Sequence, residues 1–232
     1  AKMLLAPKLK NQENVKYIAY FQNFTNTYGD IDKLKNLWFR ALSCPDVAGI
    51  SIATRPDCLS DECLEVISLL SKKTFVQVEL GLQSTNEKTA ALIRRGYQNQ
   101  IYFDAVKKLH DVDSKIHVVS HVIFGLPCES ECDMLKTVFD VVNAKSDGIK
   151  ITNLYVLAQT DLQKMFENGE YKPLEMEEYF ELLKKALKII PKNVVIHRLT
   201  GDPPKKILIA PDWTKNKKLV LSRINNLLSD YE

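Results

Sequence analysis

Along most of this chain, stretches with strand pattern alternate with stretches of helical period, and few folds accept that order. Residues 15–21 read as a strand, after which Ile31, Leu34, Leu37, Trp38, Ala41 and Leu42 make a helical stripe. Residues 48–53 are the next strand. Ser60 caps the helix that follows, with Leu59 and Leu64 placed as a hydrophobic staple. A third strand covers 74–82, and Ser84-Thr85-Asn86-Glu87 has the capping-box spacing for a helix running through Arg94 and ended by Gly96. A helix with Phe103, Val106 and Leu109 leads into a strand at 116–124. Met134, Leu135, Val138, Val141 and Val142 mark the next helix, before a strand at 149–157. Beyond it the rhythm loosens into a short helix at 161–168, a strong one through Met176, Tyr179, Phe180, Leu183 and Leu187, a strand at 194–199, and a last helix with Val220, Ile224 and Leu227.

Parallel strands need crossovers, and helices supply them, so the alternation predicts a parallel sheet. Side-chain parity says which kind. On the third strand Glu79, Gly81 and Gln83 share one face while Val78, Leu80 and Leu82 share the other; on the second, Ser51, Ala53 and Arg55 oppose Ile50, Ile52 and Thr54. A flat doubly wound sheet is apolar on both faces, whereas one face here is polar or small and lines a cavity. The expected fold is therefore an incomplete (β/α) barrel over 15–160. A leader precedes it at 1–14, and a helical C-terminal extension with one added strand follows at 161–232.

Composition bounds the function classes. Of 232 residues 45% are hydrophobic, and the net charge of +3 does not by itself demand a nucleic-acid partner. The C-terminal stretch is locally basic, with Lys205, Lys206, Lys215, Lys217, Lys218 and Arg223 against Asp212. No apolar run reaches membrane-spanning length and the patch at Met3, Leu4, Leu5 and Ala6 is too short for a signal core, which places the chain in the cytoplasm. Five cysteines in a chain with this much core argue for free thiols rather than a disulfide scaffold.

The reactive residues gather at strand exits. Glu79 needs partners inside a barrel, and Gly81 beside it removes a side chain that would block close approach. Gly125, in Ile123-Phe124-Gly125-Leu126-Pro127, offers backbone to the edge of a flat heterocycle. Arg55 ends the second strand and Arg95 the helix after the third, each with a planar fork suited to carboxylate or phosphate. His197 and Arg198, ahead of Thr200-Gly201-Asp202, bring a base and a cation to a late exit. Lys150 is a Schiff-base nucleophile only if desolvated, and it lies near the wrong strand end. His117 and His121 share a face but, four residues apart, lie about 13 Å from one another, too far for one metal. Cys128 and Cys132 begin a C-x3-C-x2-C pattern whose third position is Leu135, so the pattern fails.

Taken in order, Tyr17-Ile18-Ala19-Tyr20-Phe21-Gln22, Thr25-Asn26-Thr27-Tyr28, Gly49 to Asp57 with its Thr54-Arg55-Pro56-Asp57 end, Val78-Glu79-Leu80-Gly81-Leu82-Gln83, Arg95-Gly96, Ile123 to Pro127 and His197 to Asp202 resemble the radical S-adenosylmethionine superfamily. More closely they are similar to a bacterial group of Fe-S oxidoreductases like the catalytic subunit of Elongator. The resemblance implies a partial barrel in which a [4Fe-4S] cluster and S-adenosylmethionine together yield a 5'-deoxyadenosyl radical, with an electron donor and tRNA modification as associated expectations. It makes 15–21 the family's second strand, so the first βα unit and the cluster loop are expected to be missing and the chain inactive as given. By position Glu79 and Gln83 would face the ribose, Arg95 the methionyl carboxylate and Ile123 to Leu126, Gly125 among them, the adenine, with Gln22, Arg55, His197 and Arg198 toward substrate. Two positions depart from the pattern: Cys128 and His121 stand where glycine is expected. Two other readings stay open, an RNA-binding module without catalysis and a barrel aldolase or hydrolase using Lys150 or His197.

Overall fold

In the computed structural model, which describes residues 15–229, side-chain caps set where several of the helices begin. The expected leader at 1–14 lies outside the described residues. β1 (Tyr17–Phe21) is followed by α1 (Ile31–Leu42), whose cap Asp30 accepts from the Lys33 amide. β2 (Val47–Thr54) precedes α2 (Asp61–Ser71), capped by Ser60 as expected. After β3 (Phe75–Gln83) the cap is Asn86 rather than Ser84, because the Asn86 carboxamide oxygen reaches both the Lys88 and the Thr89 amides. So α3 (Glu87–Leu92) starts later and stops earlier than the capping-box spacing suggests. α4 (Asn99–Val112) and β4 (His117–Phe124) follow, then α5 (Glu131–Asn143), opened by a Ser130–Asp133 capping box, and β5 (Gly148–Asn153).

Residues 149–157 do not form one strand. β5 stops at Asn153, where Leu154 donates to the Phe124 carbonyl, and β6 (Val156–Leu157) leaves the sheet. Then come α6 (Asp161–Glu167), α7 (Met176–Ile189), β7 (Val195–Arg198), β8 (Leu208–Ala210) and α8 (Lys217–Ser229). β8, which carries no alternation long enough to reveal it, pairs antiparallel with β6. β7 instead joins β5, so the main sheet takes a strand from the segment assigned to the extension.

The main sheet is six-stranded, wholly parallel and ordered β1-β2-β3-β4-β5-β7. It is strongly curved. β1 and β5 are four strand spacings apart, roughly 19 Å if flat, yet Lys150 Nζ on β5 lies 3.5 Å from the Tyr20 hydroxyl on β1. This is the expected half-barrel. Ile50, Ile52, Val78, Leu80, Leu82, Val118, Val122, Ile149 and Ile151 are all buried on the convex face against the helices, leaving Ser51, Glu79, Gly81 and Gln83 on the concave one.

Candidate functional site

Glu79 is the hub of the concave face, and each strand from β1 to β5 sends it a donor. Its Oε1 accepts from Ser51 Oγ (3.1 Å), Gln77 Nε2 (2.7 Å) and Lys150 Nζ (2.6 Å); its Oε2 accepts from the Tyr20 hydroxyl (2.8 Å) and lies 2.9 Å from His121 Nε2. The residue is 2% exposed. Burial works against its charge, but the bonds from His121, Lys150 and Tyr20 outweigh it and hold the carboxyl well below the usual carboxylate range. The same burial, with the bond to Glu79, raises the Tyr20 phenol. Both Glu79 oxygens are thus occupied. A diol at this position would have to share or displace donors already in place, and Glu79 as it stands anchors the chamber floor.

Only parity pointed to this row. Lys150 looked misplaced because it sits early in its strand, but its register opposite His121 and the curvature of the sheet carry it to Glu79. Its Nζ is engaged there by the Glu79 carboxylate rather than turned toward open space. Across the register, His117 Nε2 and His197 Nε2 meet at 2.8 Å over β5. Gly148 makes the room, since a Cβ there would lie 2.6 Å from His197 Cδ2 and 3.1 Å from His117 Nε2. Burial lowers both imidazoles, so each is held toward its neutral form.

At the exits the structure separates the two arginines. Arg95 is 4% exposed and its guanidinium donates to the carbonyls of Ser84 (2.6 Å), Leu82 (3.4 Å) and Tyr97 (2.7 Å) and to Glu87 (3.3 Å). It ties down the loop after β3 and would reach a carboxylate only by exchanging those bonds. Arg55 is half-buried, held bidentate by Asp57 (2.9 and 2.6 Å) and lying over the Tyr97 ring, which Arg95 covers too. Gly96 keeps close approach to Arg55 possible, its added Cβ falling 3.3 Å from Nη2. Gln83 leaves β3 at φ +66°, half-buried, with its amide over Gly81. Gln22 is exposed beyond β1.

The Gly125 amide faces Met134 Sδ (3.1 Å) and its carbonyl accepts from the Tyr171 hydroxyl (2.7 Å), so each backbone group already has a partner within the chain. Ile123 stays half-buried on the concave face. Cys128, the unexpected residue after Pro127, takes φ +64°, the left-handed conformation that glycine adopts freely. His197 and exposed Arg198 open onto a cavity of about 320 Å³ between β7 and α8, backed by Leu221, Ile224 and Leu228 and flanked by the Lys217–Asp202 ion pair.

Glu129, following Cys128, was not singled out by sequence. Burial pushes its carboxyl up to about 7 against the opposing hydrogen bond from Ser84, and its Oε2 has no partner among the described residues. A carboxyl raised on folding contributes stability below its unfolded pKa and loses it as pH climbs through the folded value. Glu129→Gln is therefore expected to raise stability by about 1–2 kcal/mol at pH 8, after allowance for solvent access, and by nothing at pH 4. Urea midpoints at the two pH values measure this.

Among the described residues no group of three His, Cys, Asp or Glu side chains is placed to hold a metal ion. Cys44, Cys128 and Cys132 are exposed thiols, Cys58 is half-buried and Cys63 buried. No helix among the described residues is long and apolar enough to cross a membrane.

Comparison with known proteins bears on this geometry. The Radical SAM superfamily model matches residues 4–141, and the model for the Radical_SAM C-terminal domain matches 146–230. The uncharacterized protein YtqA of Bacillus subtilis is 42% identical over 215 residues, covering 93% of this chain and 66% of YtqA. The tRNA uridine(34) acetyltransferase of Methanocaldococcus jannaschii is 31% identical over 173 residues, 73% of this chain and 31% of that protein. The archaeal Methanocaldococcus infernus Elp3 with an N-terminal deletion has the same fold, with a TM-score of 0.77 at 22% identity over 96% of this chain and 57% of that one. The chain thus spans about two thirds of the length of YtqA and smaller shares of the other two.

Proposed function

This chain belongs to the radical SAM superfamily, in its Elongator-catalytic-subunit-like branch, and on that premise we propose that it is the ligand-binding core of an oxidoreductase that uses S-adenosylmethionine to abstract hydrogen from RNA. When bound together with a [4Fe-4S] cluster, S-adenosylmethionine supplies a 5'-deoxyadenosyl radical, and an electron donor completes the requirement. The described residues offer no ligand set for the cluster, whose ligands on this reading lie outside them. They do offer a donor set suited to the nucleoside. Gln83 presents an amide to the ribose, Arg55 its half-buried guanidinium to the methionyl carboxylate, in exchange for Asp57 and with Arg95 behind it, and Ile123 an apolar wall to the adenine. Glu79 holds the floor of the chamber and leaves no free carboxylate beneath the ligand.

The observation that carries this reading is the concave polar row meeting at Glu79 directly below the exits of Arg55 and Gln83. RNA as substrate is supported by the tRNA-modifying relative and by the basic stretch after Asp202. The aldolase alternative loses support from Lys150, whose Nζ is taken up by the Glu79 carboxylate at 2.6 Å. The gene-encoded protein, reconstituted anaerobically and reduced, is expected to release 5'-deoxyadenosine. In it Gln83→Ala is expected to weaken S-adenosylmethionine binding about tenfold, one hydrogen bond's worth. If the loaded, reduced protein forms no 5'-deoxyadenosine with or without RNA, the proposal is wrong.

A further inference from the structure

The loop between β1 and α1 displays two aromatic rings that the fold itself does not use. Phe24 is 98% exposed and Tyr28 is 79% exposed, both on the exit side of the sheet. Phe24 also sits at φ +61°, a left-handed conformation that glycine or asparagine fills with far less strain than a bulky ring. The position therefore combines backbone strain with an apolar side chain left uncovered by the described residues. Strain that persists in a fixed segment is a signal of function.

The segment is fixed. Asn26 Nδ2 donates to the carbonyls of Phe21 (2.9 Å) and Ala53 (2.8 Å), and its amide donates to Ala53 as well (3.2 Å). Buried Thr27 donates to the Cys58 carbonyl (2.6 Å) or shares its proton with Thr54 Oγ1 (2.6 Å). These bonds lash the loop to the exit of β2, next to Arg55, and leave the rings of Phe24 and Tyr28 facing outward on either side of the anchored pair.

The charge beside this loop says what it meets. Arg198, at the end of β7, is exposed, makes no hydrogen bond or ion pair among the described residues, and is near enough to Tyr20 on β1 for its charge to act on that phenol. Half-exposed Arg55 adds a second cation at the same mouth. Aromatic faces on a rigid loop near exposed Arg198, with Asp57-held Arg55 at the same mouth, are what a single-stranded nucleic acid requires: stacking for the base, charge for the phosphate.

We propose that Phe24 and Tyr28 form a stacking platform for an unpaired base of the RNA, with Arg198 meeting the adjoining phosphate. This rests on the RNA reading of the site and adds to it which residues hold the substrate and that the substrate is presented unpaired. The test uses the gene-encoded protein at full length with two probes: an RNA stem-loop whose loop is unpaired, and the same sequence annealed as a full duplex. Phe24→Asn is expected to bind the stem-loop about 5- to 150-fold more weakly, the range for losing one stacked base, and to bind the duplex unchanged. Its Tm is expected to be equal to wild type or up by about 2–4 °C as the strain is released. Phe24→Trp should keep the stem-loop affinity. Arg198→Ala should lower the salt dependence of binding, whereas Phe24→Asn should leave it as it is.

Equal stem-loop affinity in Phe24→Asn overturns the proposal. So does a fall in its Tm, which would mean that the ring is covered by protein rather than by substrate. If the unmodified protein binds neither RNA, the RNA reading itself fails, and release of 5'-deoxyadenosine then tells whether the radical chemistry survives without it.

Discussion

Glu79→Ala is expected to destabilise the protein by about 3–5 kcal/mol, the usual penalty for removing one partner of a buried ion pair. The carboxylate is the shared acceptor of Tyr20, Ser51, Gln77, His121 and Lys150, and without it the Lys150 ammonium stays in a site where its side chain is 14% exposed. Equilibrium urea unfolding measures the loss. Replacing both partners by methionine removes the stranded charge along with its counter-charge, so the double variant is expected to be more stable than Glu79→Ala alone. Its shortfall from additivity isolates the pair. Because folding lowers the Glu79 carboxyl, its contribution is present above the unfolded carboxylate pKa and fades in acid as pH falls toward the folded value. The gap between wild type and Glu79→Ala should therefore begin to narrow only below about pH 4 and keep narrowing as the pH falls further. A loss under 1 kcal/mol at pH 7 would mean that the row is solvated and that Glu79 does not organise it.

Tyr179→Ala is expected to lose a similar amount, about 3–5 kcal/mol, for a different reason. Tyr179 on α7 is fully buried, edge-on to Phe124 at the end of β4 and to Phe180, and 5.5 Å from the Trp213 ring; its hydroxyl donates to the Leu199 carbonyl at 3.0 Å. One side chain thus joins the exit of β4 to the segment just past β7, where His197 and Arg198 are carried. Tyr179→Phe removes only the hydrogen bond and should lose about 1 kcal/mol. Trp213 fluorescence during unfolding reports both variants. Equal losses for the two substitutions would remove the aromatic packing from the explanation.

Both predictions turn on residues of modest signal in the linear sequence. The helix stripes and strand runs were legible because burial on one face imposes a period of 3.6 or 2, and a local period can be read without knowing neighbours. The polar parity of β2 and β3 was legible for the same reason, and it located Glu79, Gln83 and Arg55 on one surface. The caps were half legible. Ser60 acts as its spacing suggests, but Ser84 yields to Asn86, because a choice between adjacent capping residues depends on a few tenths of an ångström in the loop.

What the order of residues alone determined is therefore the half-barrel, its polar concave face and the superfamily, all of which follow from short-range pattern and motif spacing. What only the tertiary structure decided is who meets whom on that face. Sheet curvature brings Lys150 and Tyr20 together from strands about 19 Å apart in a flat sheet, and a glycine on the strand between them lets His117 touch His197. It also spends the guanidinium of Arg95 on backbone carbonyls, leaves that of Arg55 at the mouth, and closes both backbone groups of Gly125. Those outcomes join residues far apart in sequence through strand order and curvature, and neither quantity is written in any local stretch of the chain.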